Sequence, residues 1–188
     1  QSVTTDLSSY ERGQSATVSW SGQSGTSGTW MALSETSHPD SQWDYWISIG
    51  SGSSGSVPFD YLPEGTLEAR YYQNSTDLSA TDRSASFVVS HPVGQTPSVA
   101  SDLTYYEMAT PGITPAMTYL WTNAPGYTLD WLAIYSAGEA DNSQWMTYAY
   151  TGGAYDGSVS YSAMVPPSPT GIGSFEVRLL RNDGLFPE

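Results

Sequence analysis

The stretch GTWMALSE at Gly28–Glu35 is the best guide to the architecture of this chain, because it returns as LDWLAIYS at Leu129–Ser136. In both copies a tryptophan opens a short apolar run that is flanked by glycine, proline and serine. Short apolar runs bounded by turn-forming residues are typical of β-strands. Trp30 in the first copy matches Trp131 in the second.

Outward from these stretches, other landmark residues recur in the same order. The matched pairs are Trp20 and Trp121, Trp43 and Trp145, Gly55 and Gly157, and Arg70 and Arg178. Large aromatic residues and turn glycines that return at a near-constant offset indicate duplicated structural units. We therefore predict a β-sandwich repeat over 1–90, a proline-flanked linker over 91–97 and a second repeat over 98–188.

Alternation of apolar and polar residues is the dominant pattern, and helical periodicity is almost absent. Turn formers separate the alternating runs at intervals that are typical of sandwiches. The sequence predicts an all-β chain of two tandem antiparallel β-sandwiches. We expect four tryptophans to pack between the sheets, because a buried tryptophan is common there: Trp20, Trp30, Trp121 and Trp131.

The second repeat is predicted to lack its last strand. Ser84–Val89 supplies that strand in the first repeat, and the residues after Phe175–Leu180 offer no counterpart. Two interpretations are open. The chain is a piece of a longer tandem array, or another subunit supplies the strand by β-augmentation. Gln1–Tyr10 is a candidate donor, although it also matches the first strand of repeat 1.

Composition limits the classes of partner. The 19 acidic and 5 cationic residues give a net charge of −14, and all five cations are arginine. Nucleic acid and anionic membrane surfaces are disfavoured as partners, because both need a basic face. Cysteine is absent, which excludes disulfides and thiolate chemistry. No apolar run approaches about 18 residues, so no membrane insertion is expected.

The second repeat carries a pattern that identifies a family resemblance. Asp130–Tyr135, then Trp145, Gly157–Val159 and Phe175–Arg178 resemble the "DWIGIY" immunoglobulin-type domains. These occur as SKICH domains attached to some phosphoinositide phosphatases, as the amino-terminal domain of purple acid phosphatases, and in secreted bacterial proteins. The first repeat departs from the pattern, with Thr29 in place of the aspartate. The resemblance implies two tandem immunoglobulin-like antiparallel β-sandwiches with a supporting or binding role.

Catalytic patterns are missing from the sequence. A Ser-His-Asp triad would need one of two histidines, His38 before Pro39 in a loop or His91 in the linker. No G-x-S-x-G nucleophile elbow is present. We therefore expect no enzymatic activity.

Two clusters of aromatic residues are candidate ligand-binding sites. Alternation along a strand turns some of them outward, where they could stack on sugar rings or contact another protein. Packing under neighbouring loops is the alternative. The candidates are Trp43, Tyr45 and Trp46 in repeat 1, and Trp145, Tyr148 and Tyr150 in repeat 2.

Polar and charged side chains suggest three further roles. Five loop carboxylates are candidate Ca²⁺ ligands, although no calcium-loop spacing is present: Glu35, Asp40, Asp44, Glu139 and Asp141. No other cofactor is expected. Arg70 and Arg178 each follow a glutamate at spacing two, which predicts an intradomain ion pair or a cation–π contact with a tryptophan. Asn74-Ser75-Thr76 matches a glycosylation sequon, with a chance match as the alternative.

Together these features predict a non-catalytic, extracellular or cell-surface structural and adhesive module. Its expected partners are other copies of itself or neighbouring surface proteins, and strand donation could assemble copies head to tail into fibres. The alternative is a carbohydrate-binding accessory module of a secreted hydrolase, with polysaccharide as the partner.

Overall fold

The computed structural model describes residues 1–74, 76, 78–102, 117–161 and 174–181. These residues form fifteen β-strands. None of them forms a helix that could cross a bilayer. The chain divides into two compact units, Gln1–Val93 and Gly94–Glu188, and this boundary falls inside the predicted linker.

Unit 1 is a sandwich of two sheets. Its strands are β1 (Ser2–Thr5), β2 (Ser9–Glu11), β3 (Ala16–Ser21), β4 (Trp30–Glu35), β5 (Tyr45–Ser48), β6 (Gly55–Phe59), β7 (Gly65–Tyr72), β8 (Asp82–Arg83) and β9 (Phe87–Ser90). One sheet has the order β1-β3-β6 and the other β2-β9-β7-β4-β5, with β8 also paired to β7. Apolar side chains of both sheets, such as Val18, Met31 and Phe87, form one core.

Unit 2 repeats this plan with fewer strands in its described part. They are β10 (Ser98–Ser101), β11 (Met117–Thr122), β12 (Trp131–Ser136), β13 (Thr147–Tyr150), β14 (Gly157–Tyr161) and β15 (Phe175–Leu180). The sheets have the orders β10-β11-β14 and β13-β12-β15. Trp121 and Leu132 pack between them. The predicted all-β class is confirmed, with one difference: β2 and β9 of unit 1 pair in parallel.

Each unit is anchored by a tryptophan that lies over a glycine of the neighbouring strand. Trp20 is in register with Gly55, and Trp121 with Gly157. The indole N–H of Trp20 donates to the carbonyl oxygen of Gly52 (3.2 Å), and that of Trp121 to Ala154 (3.0 Å). Both indoles are buried in their cores, as the sequence predicts.

The predicted position of Trp30 and Trp131 is wrong. Met31 lies in the core of unit 1, so its neighbour Trp30 points to the opposite face of the sheet. In unit 2 the side chains of Trp131 and the core residue Leu132 likewise belong to separate clusters. Both tryptophans are nonetheless buried. Since β4 and β12 are buried on both faces, their apolar runs do not reveal which residues face the core.

Candidate functional site

The outer face of a unit is the face of its β4- or β12-containing sheet that turns away from the sandwich core. In unit 1 this face carries a cluster of aromatic rings around Trp30. Tyr72 stacks on Trp30 at 3.8 Å between ring centroids, and Trp43 packs edge to face at 4.8 Å. Trp46 also meets Trp30 edge to face at 6.3 Å, and it is 62% exposed. Trp46 is therefore the accessible ring of this cluster.

The outer face of unit 2 exposes more aromatic surface. Tyr148 packs edge to face against Trp131 (5.7 Å), Trp145 (4.8 Å) and Tyr150 (5.6 Å). Trp145, Tyr148 and Tyr150 are 37%, 43% and 44% exposed. Three neighbouring rings of unit 2 are thus partly exposed to solvent.

Tyr45 does not belong to the exposed aromatic surface. It lies opposite Leu33 in the β4–β5 pair and packs against the core of unit 1. The next residue, Trp46, lies opposite Ala32 and faces outward. Alternation along β5 therefore separates two neighbouring aromatics that the sequence placed in one site.

Arg70 fixes the loop that covers the outer face of unit 1. Its side chain is fully buried. All five of its N–H groups donate hydrogen bonds, to the carboxylate of Glu68 (2.8 Å) and to the carbonyl oxygens of Glu35, His38, Pro39 and Gln42 (2.7–3.3 Å). Since a guanidinium has five N–H groups, none remains for an acidic ligand. The predicted ion pair is confirmed, and its role is structural.

Arg178 holds the corresponding loop of unit 2, between β12 and β13, with a different set of contacts. It donates to the carboxylate of Glu176, to the carbonyl oxygen of Glu139 and to the side chain of Asn142. Its guanidinium lies 4.2 Å from the ring centroid of Tyr135. The cation–π contact therefore involves a tyrosine and not the tryptophan expected from the sequence.

The remaining three arginines are also engaged within their units. Arg12 lies 3.3 Å from the carboxylate of Glu64. Arg83 forms ion pairs with Glu68 and Asp40. Arg181 donates to the hydroxyl of Tyr127 and lies over its ring. All five cations of the chain are thus held by internal contacts.

The carboxylates proposed as calcium ligands hold their own loops. Asp40 accepts from the N–H of Ala80 (3.1 Å), and Asp44 from the N–H of Glu35 (3.0 Å). The N–H of Ser143 donates to Asp141 and lowers the pKa of that carboxyl. Within the described part of the chain, no three acidic or histidine side chains are placed to hold a metal ion. The five predicted ligands are therefore not brought together as a site.

Asn74 lies in a turn beside the outer face of unit 1. Its side-chain oxygen accepts from the N–H (3.0 Å) and hydroxyl (2.8 Å) of Thr76, and its carbonyl oxygen accepts from the indole of Trp30 (3.0 Å). Glycosylation of this residue stays a prediction.

The second candidate site is the edge of β15 that faces away from β12, called the open edge because no described residue pairs with it as a strand. The carbonyl oxygen of Ser174 accepts from Ala137 and so faces β12. Because backbone groups alternate along a strand, those of Phe175, Val177 and Leu179 face the opposite edge. There β15 has no strand partner among the described residues.

The matching edge of β7 in unit 1 is fully paired. Leu67 is in register with Phe87 of β9. The N–H of Ala69 donates to the hydroxyl of Ser84 (2.9 Å), while the N–H of Ser84 donates to the carbonyl oxygen of Ala69 (2.9 Å). Tyr71 accepts from the N–H of Thr81 (2.7 Å). Residues 81–90 thus complete this sheet.

Side-chain burial shows the same contrast between the units. Leu67, Ala69 and Tyr71 of β7 are fully buried, whereas their counterparts on β15 are only half-buried. In unit 1, β8 contacts both β1 and β7. At the matching place in unit 2 lies an open groove of about 400 Å³, lined by Pro97, Val99, Pro125, Val177, Leu179 and Arg181.

The fold defines the chain as an all-β protein built from two β-sandwiches. No protein-family model matches it, and no curated protein sequence is significantly similar to it. Among solved structures, it is similar to the human OSCAR ligand-binding domain with a TM-score of 0.35 and 10% identity, over 95% of this chain and 97% of that chain. A likeness this weak says nothing about function.

Proposed function

We propose that this chain is a non-catalytic extracellular structural or adhesive module, and that unit 2 binds a β-strand from another polypeptide along the open edge of β15. The contrast between the two edges carries the proposal. In unit 1 the edge of β7 is closed by residues 81–90, and in unit 2 the same edge has no partner in the described residues. Strand addition of this kind gains affinity from main-chain hydrogen bonds.

The physical gain of closing this edge supports the proposal. Each new hydrogen bond contributes about 0.5–1.5 kcal/mol. Covering half-buried apolar side chains adds about 25 cal/mol for each Å² removed from water. An exposed edge with apolar flanks is otherwise a site of uncontrolled pairing.

Other copies of the chain and neighbouring surface proteins are the proposed donors. The segment Gln1–Tyr10 is not free for this role, because β1 pairs with β3 and β2 pairs with β9. A donor must therefore present a different extended segment or leave its own unit. Donation repeated head to tail is a heterologous contact, and such contacts build fibres when they do not close into a ring. The resemblance to SKICH-type domains fits a supporting role.

A graft tests the open edge. Residues 182–188 are replaced by residues 74–90 of unit 1, so that the strand is supplied within the chain and Arg181 keeps its contact with Tyr127. We expect the thermal midpoint of unit 2 to rise by about 5 °C or more, because about 1 kcal/mol shifts a domain of this size by about 4–8 °C. We also expect concentration-dependent association to disappear, as measured by size-exclusion chromatography with light scattering.

The matched control carries the same graft with Phe87→Asp and Val89→Asp in the grafted copy. This control should keep the parent midpoint and the parent association. A parent chain that stays monomeric at high micromolar concentration, together with a graft that leaves the midpoint unchanged, would contradict strand acceptance.

Carbohydrate binding is a second candidate, favoured by the exposed rings of the outer faces. Aromatic rings stack on the C–H faces of sugars. Because the acidic surface repels anionic polysaccharides, the proposed ligands are neutral polysaccharides. We expect Trp46→Ala, and Trp145→Ala with Tyr148→Ala, to weaken retardation in affinity electrophoresis about threefold to tenfold. Tyr61→Ala is the control, since Tyr61 is also 62% exposed but lies outside both clusters. Equal retardation of all variants would exclude this function.

A further inference from the structure

We infer that the open edge of β15 binds an extended segment of another chain in a single register. In that segment a basic residue is followed directly by a serine or threonine, and two apolar residues come later. In this pattern the first apolar residue follows the hydroxyl residue by three positions, and the second follows it by five. The inference rests on the proposed function, because it names the strand that the edge accepts. Its template is the segment that closes the duplicate edge in unit 1.

The register follows from the duplication. Thr66–Tyr72 of β7 matches Ser174–Leu180 of β15 residue by residue. In unit 1, Leu67 lies opposite Phe87, and Arg70 lies opposite Arg83. Transferred to unit 2, the bound segment runs antiparallel to β15 with its first apolar residue opposite Phe175 and its basic residue opposite Arg178.

The hydroxyl residue is required because the ladder is interrupted between β8 and β9. At the interruption in unit 1, the side chain of Ser84 accepts the N–H of Ala69 in place of a backbone carbonyl. Val177 occupies the position of Ala69, and its N–H faces the same edge. A segment without a hydroxyl at this point would leave that N–H buried and unpaired, which costs affinity.

The two apolar residues fill the interior side of the strand. Phe87 and Val89 are almost fully buried in unit 1, whereas Val88 between them is half exposed. On unit 2 the corresponding side chains would cover Phe175 and the rest of the half-buried row on β15. The position between the two apolar residues is left unspecified by the pattern.

Charge complementarity selects the basic residue. Arg83 pairs with Glu68 and Asp40 in unit 1. Glu176 takes the place of Glu68 on β15, and its side chain is 37% exposed. In a chain of net charge −14, a cation at this position is favoured and an acidic residue is repelled.

Synthetic peptides with the sequence of Thr81–Ser90 test the register on the full chain. We expect a fluorescein-labelled peptide to bind saturably in fluorescence anisotropy. N-methylation at the Phe87 position should weaken binding about tenfold or more, because that N–H faces the acceptor strand. N-methylation at the Val88 position is the matched control, since the N–H of Val88 faces away and donates to Ser8 in unit 1 (3.2 Å). Ser84→Ala and Arg83→Glu peptides should also bind more weakly.

Residue-resolved hydrogen exchange by NMR locates the bound peptide. The amides of Phe175, Val177 and Leu179 should gain protection, while those of Glu176 and Arg178, already paired with β12, should change little. A peptide that tolerates N-methylation at Phe87 but not at Val88 overturns the register and leaves strand acceptance standing. A peptide that fails to bind, while the graft abolishes association, overturns the pattern alone. Failure of both peptide and graft overturns the proposed function as well.

Discussion

Arg70→Ala is expected to lower the free energy of unfolding of unit 1 by about 3–5 kcal/mol, the cost of removing one partner from a buried charged network. The substitution takes away all five hydrogen bonds of the guanidinium, including one donor from each of four carbonyl oxygens. The loop between β4 and β5 then loses its hydrogen bonds from Arg70 to the carbonyl oxygens of His38, Pro39 and Gln42. A urea titration followed by tryptophan fluorescence reports the change, because Trp43 lies in this loop and packs on Trp30.

Two further variants make this result specific. Arg70→Lys should recover only part of the loss, since an ammonium has three N–H groups in place of five. Arg178→Ala should cost less, because Arg178 is 25% exposed where Arg70 is fully buried. If Arg70→Ala and Arg178→Ala lower the free energy of unfolding equally, then burial of the guanidinium does not explain the stabilising effect of Arg70.

Gly157→Ala is expected to destabilise unit 2 by about 3 kcal/mol, at the upper end of the usual cost of overpacking a core. A Cβ atom at this position would lie 2.3 Å from the Cζ2 atom of Trp121. The ring cannot move aside freely, because its indole N–H donates to the carbonyl oxygen of Ala154 and the ring is buried in a core cluster with Leu132. Thermal unfolding followed by circular dichroism measures the effect.

A double-mutant cycle with Trp121→Phe isolates the clash. The smaller ring leaves room for the new methyl group, so the cost of Gly157→Ala should fall in the Trp121→Phe background. If the losses of stability from the two substitutions are additive, then a clash with the Trp121 ring is not the reason that position 157 needs glycine. Gly55→Ala, whose Cβ would lie 2.6 Å from Trp20, repeats the test in unit 1.

Those features of the fold that depend on local pattern could be predicted from the sequence. Strands and turns follow from alternation and turn residues, and the duplicated Trp20–Gly55 and Trp121–Gly157 pairs mark the same strand pairing in both units. The pairing of Arg70 with Glu68 also followed from their spacing, because residues two apart share one face of a strand.

The outer faces could not be predicted, because their burial depends on loops that are distant in sequence. Trp30 is buried away from the core because the turn at Asn74 and the residue Trp43 cover it. The proposed calcium ligand Asp40 is held instead by Arg83, more than forty residues away along the chain. The parallel pairing of β2 with β9 joins the two ends of unit 1, and no short-range pattern signals it.

The internal engagement of every arginine has a consequence for encounters between molecules. With its cations tied into the two sandwiches, the exterior presents largely uncompensated carboxylates, so two copies approaching in dilute buffer meet a Coulomb barrier. Dissolved ions screen this repulsion, and the Debye length falls from about 30 Å at 0.01 M ionic strength to about 10 Å at 0.1 M. Electrolyte concentration therefore controls how often one copy can come close enough to touch another.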